Sequence, residues 1–417
     1  MAQIYASKTN EIQKYETEHE NEVRHLAGEC MVLLENDGVL PFSDKIKKIA
    51  LYGTGARHTV KGGTGSGDVN VRKTVSIARG LEEAGFEIVT EDWLDRYDRD
   101  LEEAQKTYLK KLKDMSDETG EPSVILGFKH PFQEPEQPIV EETDIKEADA
   151  AIYVLARNSG EGKDRTPGAG DYELSDTEKT AIANLANAYG NLIVVLNVGG
   201  VIDTKFLRAQ EGIGAILLMS QAGNIGGHAL ADVLTGKVSP SGHLTTTWAE
   251  NYEDYPNAKT FSHMNGDIHD EYYEEGIYVG YRYFDTFDVT PAYPFGYGKS
   301  YTTFDVKTEE VTADAKQISV KVCVTNTGAT YSGKEVVQVY VAPKERQDDR
   351  PAHELRAFEK VELMPGEEKT VKLLLTAEAF SVYDEKQHAF AEKTGSYEIE
   401  VGSSSRDIRL RREVIRA

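Results

Sequence analysis

The chain is short of cysteine, short of positive charge and without a long apolar run. Only two cysteines, Cys30 and Cys323, occur among 417 residues, and they lie far apart. That argues against a disulfide framework, and each is expected to be a small buried hydrophobe. A net charge of -24 argues against a nucleic-acid partner, because phosphate binding needs a basic face. No apolar stretch approaches a membrane span, and Met1 to Glu29 is polar and charged. No membrane partner and a cytoplasmic location are the expectations. The histidines, His228, His243, His263 and His269 among them, lack the short helical spacing with a carboxylate that suggests zinc. Neither a metal nor a cofactor is expected.

What is present suits a soluble globular protein of two or three domains, with 39% hydrophobic and 28% charged residues. Residues 8–35 carry a helical pattern, with Val23, Leu26, Ala27, Cys30, Met31 and Leu34 at helical steps, ended by Asn36-Asp37-Gly38. Short apolar runs then alternate with amphipathic stretches. Lys48 to Gly53, Phe86 to Val89, Ile152 to Ala156, Leu192 to Val198 and Ala215 to Met219 read as strands. Helices are predicted over Ser76 to Ala84, Asp92 to Met115, Ser175 to Tyr189, Thr204 to Gln210 and Gly226 to Leu234. Strands apolar on both faces, separated by helices, predict an α/β fold with a mostly parallel sheet sandwiched by helices.

The pattern changes after about residue 236. Residues 237–302 are rich in Gly, Pro, Tyr and Asn and read as a long ordered connection. From 303 to 417, period-2 strands such as Ile318 to Val324 and Val336 to Val341 predict a small β-sandwich.

The segment Ser159-Gly160-Glu161-Gly162-Lys163-Asp164-Arg165 follows the strand Ile152 to Ala156. Gly160 and Gly162 remove side-chain bulk on both sides of Glu161, so another surface can approach that carboxylate closely. Ligands of open α/β sheets bind at the carboxyl ends of strands. Asp164 and Arg165 can pin the loop by charge. From these residues, Glu161 is read evenly as a presented acid or as a glutamate paired with Arg165 or Lys163. A second glycine-rich stretch, Gly53-Thr54-Gly55 with Lys61 to Asp68, lacks the spacing of a phosphate cradle and reads as a flexible or closely packed surface loop ahead of a nucleotide site. No Gly-x-Ser-x-Gly elbow surrounds Ser159. The aromatic run Tyr272 to Phe284 suits sugar faces but equally suits packing between domains, and the structural reading is the preferred one.

Together these strings resemble glycoside hydrolase family 3. Met31 to Pro41 and then Ser159 to Arg165 look like its α/β-sandwich domain. Tyr273 to Phe284 and Pro294 to Tyr301 match the same family. Leu355 to Leu363 with Pro365-Gly366-Glu367 is similar to its fibronectin type III-like domain. The resemblance implies retaining, β-glucosidase-type hydrolysis of a β-linked glucoside or related oligosaccharide, with Glu161 at the position of the acid/base. Such a reaction needs one carboxyl group to protonate the leaving oxygen and a second to act as nucleophile. Burial against a partner domain would keep Glu161 protonated. Gly160, Gly162, Asp164 and Arg165 are expected to shape the loop or lie beside substrate.

In the family the nucleophile sits on a (β/α)8 barrel, and nothing in this chain reads as one. Glu91-Asp92-Trp93 is a helix start in the sandwich region. The nucleophile is therefore expected outside this chain, on a barrel supplied in cis or in trans, as in permuted members where the barrel follows. By itself the chain is expected to be inactive. The alternative is a non-catalytic carbohydrate-binding or interaction protein on the same fold.

Overall fold

The structure is a computed structural model and describes residues 9–158, 165–313, 317–345 and 350–416. Helix α1 (Lys14–Cys30) leads into strand β1 (Val32–Asn36), followed by β2 (Lys48–Tyr52), α2 (Ile77–Glu83) and β3 (Glu87–Ile88). Two helices, α3 (Glu91–Thr119) and α4 (Ser123–Lys129), precede β4 (Ala150–Arg157). Then come α5 (Asp176–Tyr189), β5 (Leu192–Val198), α6 (Lys205–Ala209), β6 (Ile213–Leu218) and α7 (Gly226–Leu234).

Six strands form one sheet in the order β1-β6-β5-β4-β2-β3. All pairs are parallel except the edge pair β1–β6, where Val32 lies opposite Leu218. The predicted parallel sheet between helices is what the chain adopts. Its central strand β5 is buried at every position, as a strand covered on both faces must be. Local signals set several helix starts. The Ser76 hydroxyl accepts from the Arg79 amide, and Ser175 and Glu178 cap α5 reciprocally. Helices α2 and α7 cross through Gly80 and Gly227. A Cβ on Gly80 would stand 2.2 Å from the Gly227 carbonyl oxygen, so only glycine permits that approach.

Two expectations are corrected, and one helix is added. The helical pattern predicted over residues 8–35 ends at Cys30, because Val32 to Asn36 are drawn into the sheet by pairing with β6. Cys30 is exposed where a buried residue was expected, whereas Cys323 is buried; both are free thiols. Helix α4 was not foreseen: its seven residues are too few to display a period.

Beyond α7 the chain forms β7 (Trp248–Ala249), α8 (Tyr281–Thr286) and β8 (Pro291–Tyr293), with β7 and β8 paired. The β-rich remainder comprises β9 (Phe304–Ala313), β10 (Gln317–Asn326), β11 (Gly333–Pro343), β12 (Glu354–Leu363), β13 (Glu368–Thr376), β14 (Ser381–Asp384), β15 (Ala389–Glu392), β16 (Gly395–Gly402) and β17 (Ile408–Arg416). Sheets β13-β10-β9 and β12-β11-β16-β17 face each other across a core of Val320, Val322, Val324, Val337, Val339 and Ile399. This is the predicted β-sandwich.

The two cores meet through polar contacts as well as rings. The Gln338 amide donates to the carbonyls of Gly296 (3.1 Å) and Ser403 (2.6 Å). Tyr281 stacks on Phe295 with centroids 4.7 Å apart, and its hydroxyl accepts from the Leu355 amide at 2.9 Å. Tyr281 thus packs between the two parts, as the preferred reading had it, whereas Tyr272 and Tyr273 of the same run are exposed.

Candidate functional site

The order of strands locates a crevice before any side chain is considered. From β2 the chain steps outward to β3, then returns to the other side of β2 as β4 and continues through β5 and β6. The direction of winding therefore reverses between β2 and β4, and ligands of open α/β sheets bind at the carboxyl ends flanking such a point. The loops leaving there are residues 53–76 and 158–175.

Ser159, Gly160, Glu161, Gly162, Lys163 and Asp164 lie outside the described residues. Both stems of their loop are described, and they are tightly held. Arg157 closes β4 and donates through Nη1 and Nη2 to the two carboxylate oxygens of Glu178, each at 2.7 Å. Its Nε donates to the Asp171 carbonyl at 2.9 Å. The pair is largely buried, with side chains 9% and 13% exposed. A fork-to-fork arrangement out of water is the stronger kind of charge-assisted hydrogen bond.

On the far stem, Arg165 pairs through Nε with the Asp171 carboxylate and donates through Nη2 to the Val201 carbonyl at 3.2 Å. The second Asp171 oxygen accepts from the Thr166 amide at 2.5 Å. One aspartate thus ties both ends of the loop together. Arg157, Asp171 and Glu178 were missed in the sequence. The available signals were a charged residue ending an apolar strand and the Ser175-x-x-Glu178 capping pattern.

The neighbouring glycine-rich loop is occupied by its own packing. Gly53 has φ +91°, and a Cβ there would stand 2.2 Å from the Val154 oxygen of β4. Lys61 Nζ donates to Asp68 Oδ1 at 2.6 Å and to the Val69 carbonyl at 2.8 Å. The buried Asn197 at the end of β5 stitches loops together. Its amide donates to the carbonyls of Val60 (3.0 Å) and Ser220 (2.7 Å), and its Oδ1 accepts from the Val60 amide at 2.7 Å. Of the two loop readings of residues 53–68, flexible or closely packed, this geometry agrees with the second.

Arg165 and Thr166 also border a cleft of about 810 Å³ that runs toward α8 and β12. Three tyrosines form one wall. Tyr172 meets Tyr252 edge to face at 5.2 Å, and Tyr252 meets Tyr255 at 6.2 Å. Burial pushes the Tyr172 and Tyr255 phenols above their ordinary pKa. Among the described residues no cluster of His, Cys, Asp or Glu could hold a metal ion. Nor is any helix of the described residues long and apolar enough to cross a membrane.

Comparison with known proteins agrees with this arrangement along nearly the whole chain. The family profile described as the glycosyl hydrolase family 3 C-terminal domain matches residues 31–281, and a fibronectin type III-like profile matches residues 335–405. Beta-glucosidase A of Butyrivibrio fibrisolvens is 37% identical over 430 residues, covering 92% of this chain and 49% of that protein. An exo-alpha-(1->6)-L-arabinopyranosidase of Bifidobacterium breve is 34% identical, covering 95% of this chain and 48% of that protein. The structure of beta-glucosidase 3B from Thermotoga neapolitana in complex with glucose has a TM-score of 0.81 at 36% identity, covering 97% of this chain and 55% of that one. The chain spans about half the length of the curated relatives it matches. It belongs to glycoside hydrolase family 3, carrying that family's C-terminal domain followed by a fibronectin type III-like domain.

Proposed function

We propose that this chain contributes the acid/base, Glu161, to a retaining β-glucosidase-type active site whose nucleophile lies on a (β/α)8 barrel outside it. The barrel completes the site in cis or in trans, and without it the chain does not turn over. We divide the chain accordingly into an α/β-sandwich over residues 1–236, a connection over 237–302 and a fibronectin type III-like domain over 303–417. Gly160 and Gly162 leave room around the acid, while Asp164 and Arg165 shape its loop.

The observation that carries the reading is the stapling of the loop stems by Arg157, Arg165 and Asp171 beside the switch point of the sheet. An acid that protonates a leaving oxygen must be held in place while water is excluded around it, and a fixed loop base serves that need. Family membership and the half-length match support the missing nucleophile. The names of the curated relatives favour a β-glucoside, with an arabinopyranoside as the competing sugar.

The test combines this chain with its complementary barrel half and assays β-glucosides and arabinopyranosides with poor and activated leaving groups. Glu161→Gln should cost about 10²–10⁴-fold on a poor leaving group and far less on an activated one. Equal activity of wild type and variant on the poor leaving group would sink the assignment.

A further inference from the structure

Helices α3 and α4 carry a surface that the chemistry above does not use. Helix α4 leans on α3 through the buried Leu126, and a Cβ on Gly127 would meet the Tyr108 hydroxyl at 3.6 Å and Leu112 Cδ1 at 3.8 Å. Val124 and Phe128, four residues apart, point outward together and are 71% and 79% exposed. They form an apolar ridge that the described residues leave uncovered. Beside it lies a groove of about 490 Å³ between α3 and residues 130–133. Tyr108 and Phe132 pack at 5.2 Å along this groove, and the Tyr108 hydroxyl donates to the His130 carbonyl at 2.9 Å. Asp100 and Glu103 line the groove on the N-terminal side of α3, and Lys111 on the C-terminal side. Among the described residues none of these three is held in an ion pair.

The charge along α3 has the same polarity as the groove. Asp98, Asp100, Glu102 and Glu103 fall in its first half, whereas residues 104–113 hold Lys106, Lys110, Lys111 and Lys113 and no acid. Glu103 and Lys111 are separated by about 12 Å of helix, too far to pair with each other. Two such helices laid antiparallel, about a two-fold axis near Thr107, set each acidic stretch against a basic one. A chain of net charge -24 repels its own copies, so a contact between them needs a local match of this kind. Shape agrees with charge: a ridge and a groove on one face are what an isologous interface requires. The 29-residue α3 is about 43 Å long, enough to carry the roughly 800 Å² per partner of a standard interface.

We propose that the α3–α4 face is self-complementary and binds a second copy of this chain. Phe128 of each copy enters the groove of the other, and Glu103 faces Lys111 of the partner subunit. Sedimentation equilibrium of the 417-residue chain, up to about 100 μM, should show monomer and dimer in exchange. Phe128→Asp, at an exposed position, should weaken the dimer roughly 30-fold or more and leave thermal melting unchanged. Glu103→Lys or Lys111→Glu alone should weaken it roughly 3- to 10-fold, because two-fold symmetry sets like charges together twice. The two combined should restore it to within about 3-fold of wild type. A chain that stays monomeric, a dimer indifferent to Phe128→Asp, or a double variant no tighter than either single one overturns the proposal. Adding the complementary barrel half should leave the dimer standing. Its replacement by a one-to-one complex would place the barrel on this face and also overturn it. None of these positions lies in the loop of Glu161, so the acid/base assay should give the same result with every variant.

Discussion

Arg165 and Asp171 form the ion pair that fastens the end of the 158–165 loop to the residue whose carbonyl holds its beginning. The pair is about a quarter exposed, at 21% and 26%, so its own contribution to stability is about 1 kcal/mol or less. Its larger consequence is geometric, since both stems depend on one residue.

Asp171→Ala should therefore separate stability from activity. Thermal melting should shift little, with a loss of about 1–2 kcal/mol once the Thr166 amide also loses its acceptor. In the reconstituted enzyme kcat should fall roughly 10- to 100-fold, because small misplacements of a reacting group are costly. A variant with full kcat would show that the staple does not position the loop.

Gly53→Ala should destabilise the α/β part by about 3 kcal/mol or more, since it adds a Cβ 2.2 Å from the Val154 oxygen at φ +91°. Gly67→Ala, in the same loop but with open space around its added Cβ, should change stability by less than about 0.5 kcal/mol. Urea denaturation of both variants checks the contrast. Equal effects would contradict the account of the loop as one anchored by its first glycine.

His353 joins the two cores. Its Nδ1 lies 2.6 Å from Glu400 and its Nε2 lies 2.9 Å from Asp285, while its ring stacks on Tyr340. Burial disfavours its charge, but the hydrogen bonds to Asp285 and Glu400 outweigh this and push its pKa up to about 9. A raised folded pKa means a contribution that is full below about 6.5 and lost as pH rises through about 9. His353→Gln should cost on the order of 3 kcal/mol at pH 6, and the gap to wild type should narrow by pH 9.5. Denaturant titrations at the two pH values measure it, and a pH-independent gap would refute it.

Glu335 sits at the start of β11 and titrates in a different window. Burial pushes its carboxyl up to about 7, against the opposing pull of Arg409 and the Val336 amide. Folding thus favours the protonated form, and the resulting stability is present below about 4.5 and lost as pH rises through about 7. Glu335→Gln keeps the shape and removes the charge. It should match wild type near pH 4.5 and exceed it by up to about 3 kcal/mol at pH 8. A variant less stable than wild type at pH 8 would disprove the assignment.

Much of this was legible in short stretches of sequence. Leu192 to Val198 read as a strand apolar on both faces, and Ser175 marked the start of a helix. Period-2 alternation around Ile318 to Val324 marked the sandwich. The loop around Glu161 was visible because glycine on both sides of a carboxylate is rare enough to notice. Where local signals competed, the sequence misled. Met31 and Leu34 continue a helical period, yet Val32, Leu33, Glu35 and Asn36 pair with β6, and an edge strand is chosen by a partner nearly two hundred residues away.

Elements and their order were therefore matters of local pattern, because propensity, capping and apolar period act within a few residues. The convergence of Arg157 and Arg165 on Asp171, the close approach of Gly53 to Val154 and the clasp of His353 by Asp285 and Glu400 were decided by the tertiary structure. Such contacts join residues whose spacing carries no period, so they exist only once the sheet and the sandwich have brought them together.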